Sequence, residues 1–166
     1  METDEQKNQI VEITKDLLKK VGFECEVRLT ENLGSQEQNF FTVSVESDGD
    51  LSMLIGKNGQ NLAAFDHLAH LVAGKKFGGV WGKDAPNFIV DVNDYRKSRT
   101  NYLVDVARNV AKRVIQTRRA EALLPMNAYE RRLVHTELAS FKEVQTESIG
   151  QEPRRRVVVK PQLDLN

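Results

Sequence analysis

The sequence predicts an α+β chain built as two small domains joined by a long helix. Three observations predict it. Apolar residues recur at helix spacing in some stretches and at strand spacing in others, in the order α-β-β-α-α-β, then a long helix, then β-α-β-β. A turn near Val92–Tyr95 divides the chain without a floppy linker. The first domain is therefore placed at residues 1–93 and the second, long helix included, at 94–166. Charge divides in much the same place. Residues 1–90 carry 9 Lys/Arg against 14 Asp/Glu, and residues 91–166 carry 15 against 10, an asymmetry hidden by the net charge of zero.

The first helix is predicted from about Glu5 to Val21, where Ile10, Ile13, Leu17, Leu18 and Val21 share one apolar face and Gly22 stops it. Cys25, Val27 and Leu29 alternate in a strand over Glu24–Thr30. Phe41, Val43 and Val45 do so over Phe40–Glu46, and the polar stretch Asn32–Asn39 makes the pair a hairpin. Ser47–Asp50 reads as a turn and Leu51–Ile55 as one helical turn. A helix follows from Gln60 to about Val72, with Leu62, Phe65, Leu68, Ala69 and Val72 apolar. Gly74–Pro86 reads as a glycine-rich loop holding Trp81, and Phe88–Val92 as the third strand.

The long helix is expected from Tyr95 to Arg119, capped by Asn93 or Asp94, with the core stripe Leu103, Ala107, Val110 and Val114. At ~1.5 Å per residue it would span ~37 Å. Glu121–Leu124 reads as a short strand. Asn127 opens a further helix to about Phe141, with Glu130 at the capping-box position. Val144–Ser148 and Arg155–Lys160 read as strands around a Gly150–Pro153 turn, and Pro161 ends the last one.

Several function classes fall away. No apolar run approaches the ~18 residues of a membrane helix, so no membrane insertion is expected. The acidic start Met1-Glu2-Thr3-Asp4-Glu5 does not read as a secretory signal. A single cysteine, Cys25, forms no internal disulfide and fits a reducing cytoplasm. Gly82-Lys83 lacks the upstream glycine and the hydroxyl of a nucleotide-binding P-loop. His67 and His70 lie three apart, but no further ligand completes a metal set. The expectation is a protein without cofactor, metal or catalytic residues.

The stretch that carries most chemistry is Leu54-Ile55-Gly56-Lys57-Asn58-Gly59-Gln60. An apolar pair runs into a Gly-x-x-Gly loop and a helix follows at once. Such glycines let backbone lie close to a ligand, and the helix start offers free N–H groups to phosphate. The plain alternative is a helix-entry turn. A second Gly-x-x-Gly, Gly79–Gly82, lacks the following helix. Within it Trp81 reads as a base-stacking ring, as a hydrophobic plug of the loop or as a partner contact. Arg131 and His135 are four apart on one helical face, and Arg154-Arg155-Arg156 opens the last strand. Arg108, Lys112 and Arg119 form a stripe on the long helix, read as an electrostatic track between the two sites. For both basic groups the plain alternative is a solvated helix face.

Leu54–Leu62 resembles the Ile-Gly-x-x-Gly signature of KH domains, and the α-β-β-α-α-β order resembles their bacterial type II form. That resemblance implies that Gly56, Lys57, Asn58 and Gly59 clamp the backbone of about four single-stranded nucleotides. It further implies that Ile55 and Leu62, with Ile89 as a third candidate, line an apolar groove. Leu124-Pro125-Met126, Glu130-Arg131, His135 and Ser148-x-Gly150-x-Glu152-Pro153-x-Arg155 resemble the R-three-H domain, named for an Arg and a His separated by three residues. That family binds single-stranded nucleic acid, which implies Arg131, His135 and Arg155 as phosphate contacts. The two motifs in this order resemble the bacterial Jag family, also called KhpB, from about Glu5 to Pro161. The resemblance implies a cytoplasmic RNA-binding protein, an RNA chaperone or post-transcriptional regulator linked to cell elongation and the cell envelope. It also implies a complex with a small single-KH protein, KhpA; a homodimer is left open. Many members carry an extra N-terminal domain and charged linker. This chain starts almost directly at the first helix, which puts roles that need that domain in doubt. The competing reading is a protein–protein scaffold with secondary RNA binding.

Overall fold

The computed structural model describes residues 4–31, 41–78 and 87–162. The expected 32–39 turn, the second Gly-x-x-Gly and Trp81 lie outside these residues. The chain forms two units, Met1–Arg96 and Lys97–Asn166, each with its own sheet and core.

The first unit contains α1 (Asp4–Lys20), β1 (Glu26–Glu31), β2 (Phe41–Glu46), α2 (Ser52–Ile55), a 3-10 turn at Lys57–Gly59, α3 (Gln60–Phe77) and β3 (Phe88–Val92). Its sheet order is β1-β2-β3. β1 and β2 are antiparallel with Val27 opposite Val45, and β2 and β3 are parallel with Val43 opposite Val90. A parallel partner needs a crossover, and α3 lies on that crossover. Period-two alternation turns Phe41, Val43, Val45, Phe88, Val90 and Val92 inward, where Ile10 and Leu18 of α1 and Leu62 and Phe65 of α3 join them.

Three expectations are corrected here. α3 runs five residues beyond Val72, through a buried Gly74, and ends at Gly78 with φ 82°. Its buried face is Leu62, Phe65, Ala69 and Ala73, while Leu68 and Val72 are exposed. The i+4 row with small side chains lets the helix backbone approach the sheet closely. α1 ends at Lys20, so Val21 is left exposed. Neither Asn93 nor Asp94 accepts the expected bond from α4. Both sit at positive φ, 46° and 53°, outside the extended conformation of an N-cap. Asn93 bonds the Ser47 backbone instead, and the Asp91 carboxylate accepts the Arg96 N–H at 3.2 Å.

β3 lies at the edge of its sheet. The Val90 N–H donates to the Asp66 carboxylate at 2.7 Å, and the Val90 carbonyl accepts from the Arg96 guanidinium at 3.2 and 3.3 Å.

The second unit contains most of α4 (Tyr95–Thr117), then β4 (Glu121–Ala122), α5 (Ala128–Leu138), β5 (Val144–Ile149) and β6 (Arg156–Pro161). The sheet is antiparallel in the order β4-β6-β5, with Glu121 opposite Val159 and Ser148 opposite Val157. Val157 and Val159 form the core with Leu103, Ala107, Val110, Ala111 and Val114 of α4 and Val134 and Leu138 of α5. α4 stops at Thr117 and Arg118 turns to φ 55°, two residues before the expected end. The capping box forms as predicted: Asn127 Oδ1 accepts the Glu130 N–H at 2.9 Å, and Glu130 Oε2 accepts the Asn127 N–H at 3.0 Å. α5 ends at Leu138 rather than Phe141.

Candidate nucleic-acid interface

The Gly56–Gly59 loop joins α2 to α3. Gly56 has φ 69° and ψ 178°, Asn58 has φ 54° and Gly59 has φ 75°. A Cβ on Gly56 would lie 2.5 Å from Cγ of Asn61, whose amide donates to the Met53 carbonyl at 2.7 Å. A Cβ on Gly59 would lie 2.7 Å from a ring carbon of Tyr95. Each glycine is thus required twice, by its dihedrals and by what abuts it. The Gly56 N–H bonds Ser52 at 2.7 Å and the Gly59 N–H bonds Gly56 at 3.2 Å, which pins both ends. Between them Lys57 is exposed and, among the described residues, holds no ion pair. A pinned, close-approach backbone with one unneutralised cation can receive a phosphate.

The groove residues divide. Ile55 is half-buried against the core. Leu62 is 2% exposed and belongs to the core, which corrects its expected place in a groove wall. It falls on the same sheet-facing row as Phe65 and Ala69. Ile89 is half-buried and points away from Phe88 and Val90. Met53 on α2, 78% exposed, is the apolar residue beside the loop that sequence reasoning missed. Its one signal was a large apolar side chain outside the buried spacing. Elsewhere in this unit an open cavity of about 550 Å³ is lined by Glu24, Glu26, Glu46, Asp48 and Asp94. That charge repels phosphate and leaves the loop as the more receptive region.

In the second unit Arg131 and His135 come together as the four-residue spacing predicts, but neither is the solvated donor expected. Arg131 is 7% exposed; its Nη1 donates to the Met126 carbonyl at 2.8 Å and pairs with Glu152 at 2.7 Å. His135 Nδ1 lies 2.7 Å from the Thr146 hydroxyl and Nε2 lies 2.8 Å from the Ser148 hydroxyl. Burial pushes the imidazole pKa below its ordinary value, and the Arg131 charge adds to the effect. The reason is tertiary: α5 lays this face on the β5–β6 hairpin, whose polar groups meet it. Arg155 stays exposed, with no ion pair among the described residues, and its carbonyl accepts the Met126 N–H at 3.2 Å.

On α4, Arg108 bonds Glu137 at 2.7 Å, while Lys112 is exposed without an ion pair among the described residues. Arg119, expected on the same helix stripe, lies past the end of α4 at Thr117, because the chain turns at Arg118; it is exposed and, among the described residues, also without an ion pair. His70 stacks on Phe88 with centroids 4.0 Å apart, and its Nδ1 lies 2.8 Å from the Asp66 carbonyl. Among the described residues no group of three or more His, Cys, Asp or Glu side chains could hold a metal ion. No helix among them is long and apolar enough to cross a membrane.

The R-three-H domain family matches residues 101–161. Over 152 residues the chain is 32% identical to the RNA-binding protein KhpB of Clostridium symbiosum, covering 92% of this chain and 64% of that protein. It is 38% identical over 107 residues to KhpB of Lactiplantibacillus plantarum, covering 64% of this chain and 32% of that protein. It is 31% identical over 110 residues to KhpB of Bacillus subtilis, covering 65% and 50%. The chain thus spans from about a third to just under two thirds of the length of these relatives. Taken with the two-unit α+β fold, these matches mean that the chain belongs to the Jag/KhpB family and carries an R-three-H domain in its second unit.

Proposed function

We propose that the chain binds single-stranded RNA without catalysis, through the Gly56–Gly59 loop of a type II KH domain and the Arg155 end of the R-three-H domain. The observation that carries this is the loop: two glycines whose Cβ space is already taken, bracketing the exposed Lys57. In the second unit Arg155 meets phosphate, while Arg131 and His135 hold the hairpin that presents it. Lys112 and Arg119 add long-range attraction; Arg108 adds less, because Glu137 neutralises it. The relatives' names support RNA as the ligand. On the same family grounds we place the protein in the cytoplasm, in post-transcriptional control or RNA chaperoning linked to cell elongation and envelope, with a KhpA-like partner.

The test is RNA affinity of the Lys57→Asp/Asn58→Asp variant. Two negative charges at the clamp are expected to remove most loop-dependent binding while circular dichroism stays unchanged. Wild-type affinity in the folded variant sinks the reading. A scaffold role is favoured by one observation, the exposed Leu68, Leu71 and Val72 on α3. Pull-downs that keep a protein partner after ribonuclease, from a chain that does not bind RNA, would select it.

A further inference from the structure

Arg155 does not stand alone at its end of the second sheet. The bond from the Met126 N–H to its carbonyl places the 123–127 segment and the first turn of α5 beside it. Two large side chains of this region face solvent: Leu124 is 76% exposed and Tyr129 is 71% exposed. On α5 the core takes Val134 and Leu138, and the opposite face carries Tyr129 and, three residues on, Arg132.

Positive charge without a carboxylate partner gathers at this end. Arg99, Arg108, Arg113, Arg131 and Lys160 each hold a carboxylate. Arg132, Arg154 and Arg155 are exposed and, among the described residues, hold none. The one acid of the neighbouring turn that could answer them, Glu152, is taken by Arg131. Unneutralised positive charge and an uncovered aromatic face therefore coincide.

We propose that Tyr129, with Leu124 beside it, is a stacking platform for a base of single-stranded nucleic acid whose phosphates face Arg132 and Arg155. The inference rests on the nucleic-acid reading above and adds a base contact to it. Arginines alone take any polyanion. A π face beside them favours unpaired strands, because a duplex hides its base faces within the stack. An apolar protein partner would have no use for three unneutralised guanidinium groups, so the charge selects the polyanion as occupant.

The experiment measures affinity against salt concentration for a short single-stranded RNA and for an abasic strand of equal length. It uses the full chain, both as wild type and carrying Lys57→Asp/Asn58→Asp to silence the loop. Tyr129→Ala is expected to weaken RNA binding by roughly fivefold or more, with an unchanged salt slope and no effect on the abasic strand. Tyr129→Phe keeps the ring and keeps the affinity. Arg155→Gln lowers the slope by about one charge on both strands. Because Tyr129 is exposed, its melting temperature serves as an internal control and stays at the wild-type value. If Arg155→Gln weakens binding and Tyr129→Ala does not, the platform is overturned while the nucleic-acid reading stands. Equal losses on the RNA and abasic strands also overturn the platform, since the ring then touches backbone. If neither variant changes binding in either background, the nucleic-acid reading of this unit fails and takes the platform with it.

Discussion

The ring of Tyr95 occupies the space that a side chain on Gly59 would need. A Cβ there would lie 2.7 Å from Cε1 and 3.2 Å from the hydroxyl oxygen. The loop therefore rests on the residue that begins α4, thirty-six positions along the chain. Gly59→Ala is expected to cost about 1–3 kcal/mol, from the positive φ and from displacing the ring. Tyr95→Ala should relieve the second part only. Urea unfolding of both single variants and the double variant reads the coupling between them. Strictly additive losses would show that the ring does not brace the loop.

Arg131 and Arg155 should behave differently although both are arginines of the same motif. Removing the Arg131 guanidinium leaves the Met126 carbonyl and Glu152 without their partner. Arg131→Gln is expected to destabilise the unit by about 1–3 kcal/mol. The salt slope of RNA binding in the folded protein should hardly move. Arg155→Gln should leave the melting temperature alone and lower the slope by about one charge. Thermal melts and salt titrations on the two variants check this. An unchanged melt with a reduced slope for Arg131→Gln would return Arg131 to the phosphate.

His135 gives stability a pH dependence of known sign. Its folded pKa lies below the ordinary value of about 6.5, through burial first and the Arg131 charge second. As pH falls through about 6.5, the unfolded chain takes up the proton before the folded one does. Stability is therefore full above that value and declines as pH drops toward the folded pKa. His135→Gln should flatten this decline. Denaturation at a series of pH values between about 7.5 and 5 measures the difference. Parallel curves for variant and wild type would remove His135 from the account.

What the sequence made legible was local. Asn127 and Glu130 satisfy each other across three residues, so their capping box could be read directly. The strands Phe41–Glu46 and Phe88–Val92 could be read from period two alone, because each buries only one face. The glycine loop could be placed because its helix follows immediately. What stayed hidden depended on distant partners. Gly74 reads as a breaker until the sheet beneath α3 rewards small residues at that helix face. Asn93 reads as a cap until Ser47, forty-six positions away, claims its amide. Arg131 and His135 were rightly put on one face. Their burial follows from Glu152, Thr146 and Ser148 on a hairpin that no spacing within α5 reveals.

The edge of β3 has a consequence for how copies of this chain meet. An open strand edge offers unpaired N–H and carbonyl groups to any passing strand. Here both backbone groups of Val90 are already engaged, by the Asp66 carboxylate and the Arg96 guanidinium. An incoming strand would have to displace two charged side chains before forming its first rung. At Val90 this side of the sheet is thereby guarded against edge-to-edge aggregation.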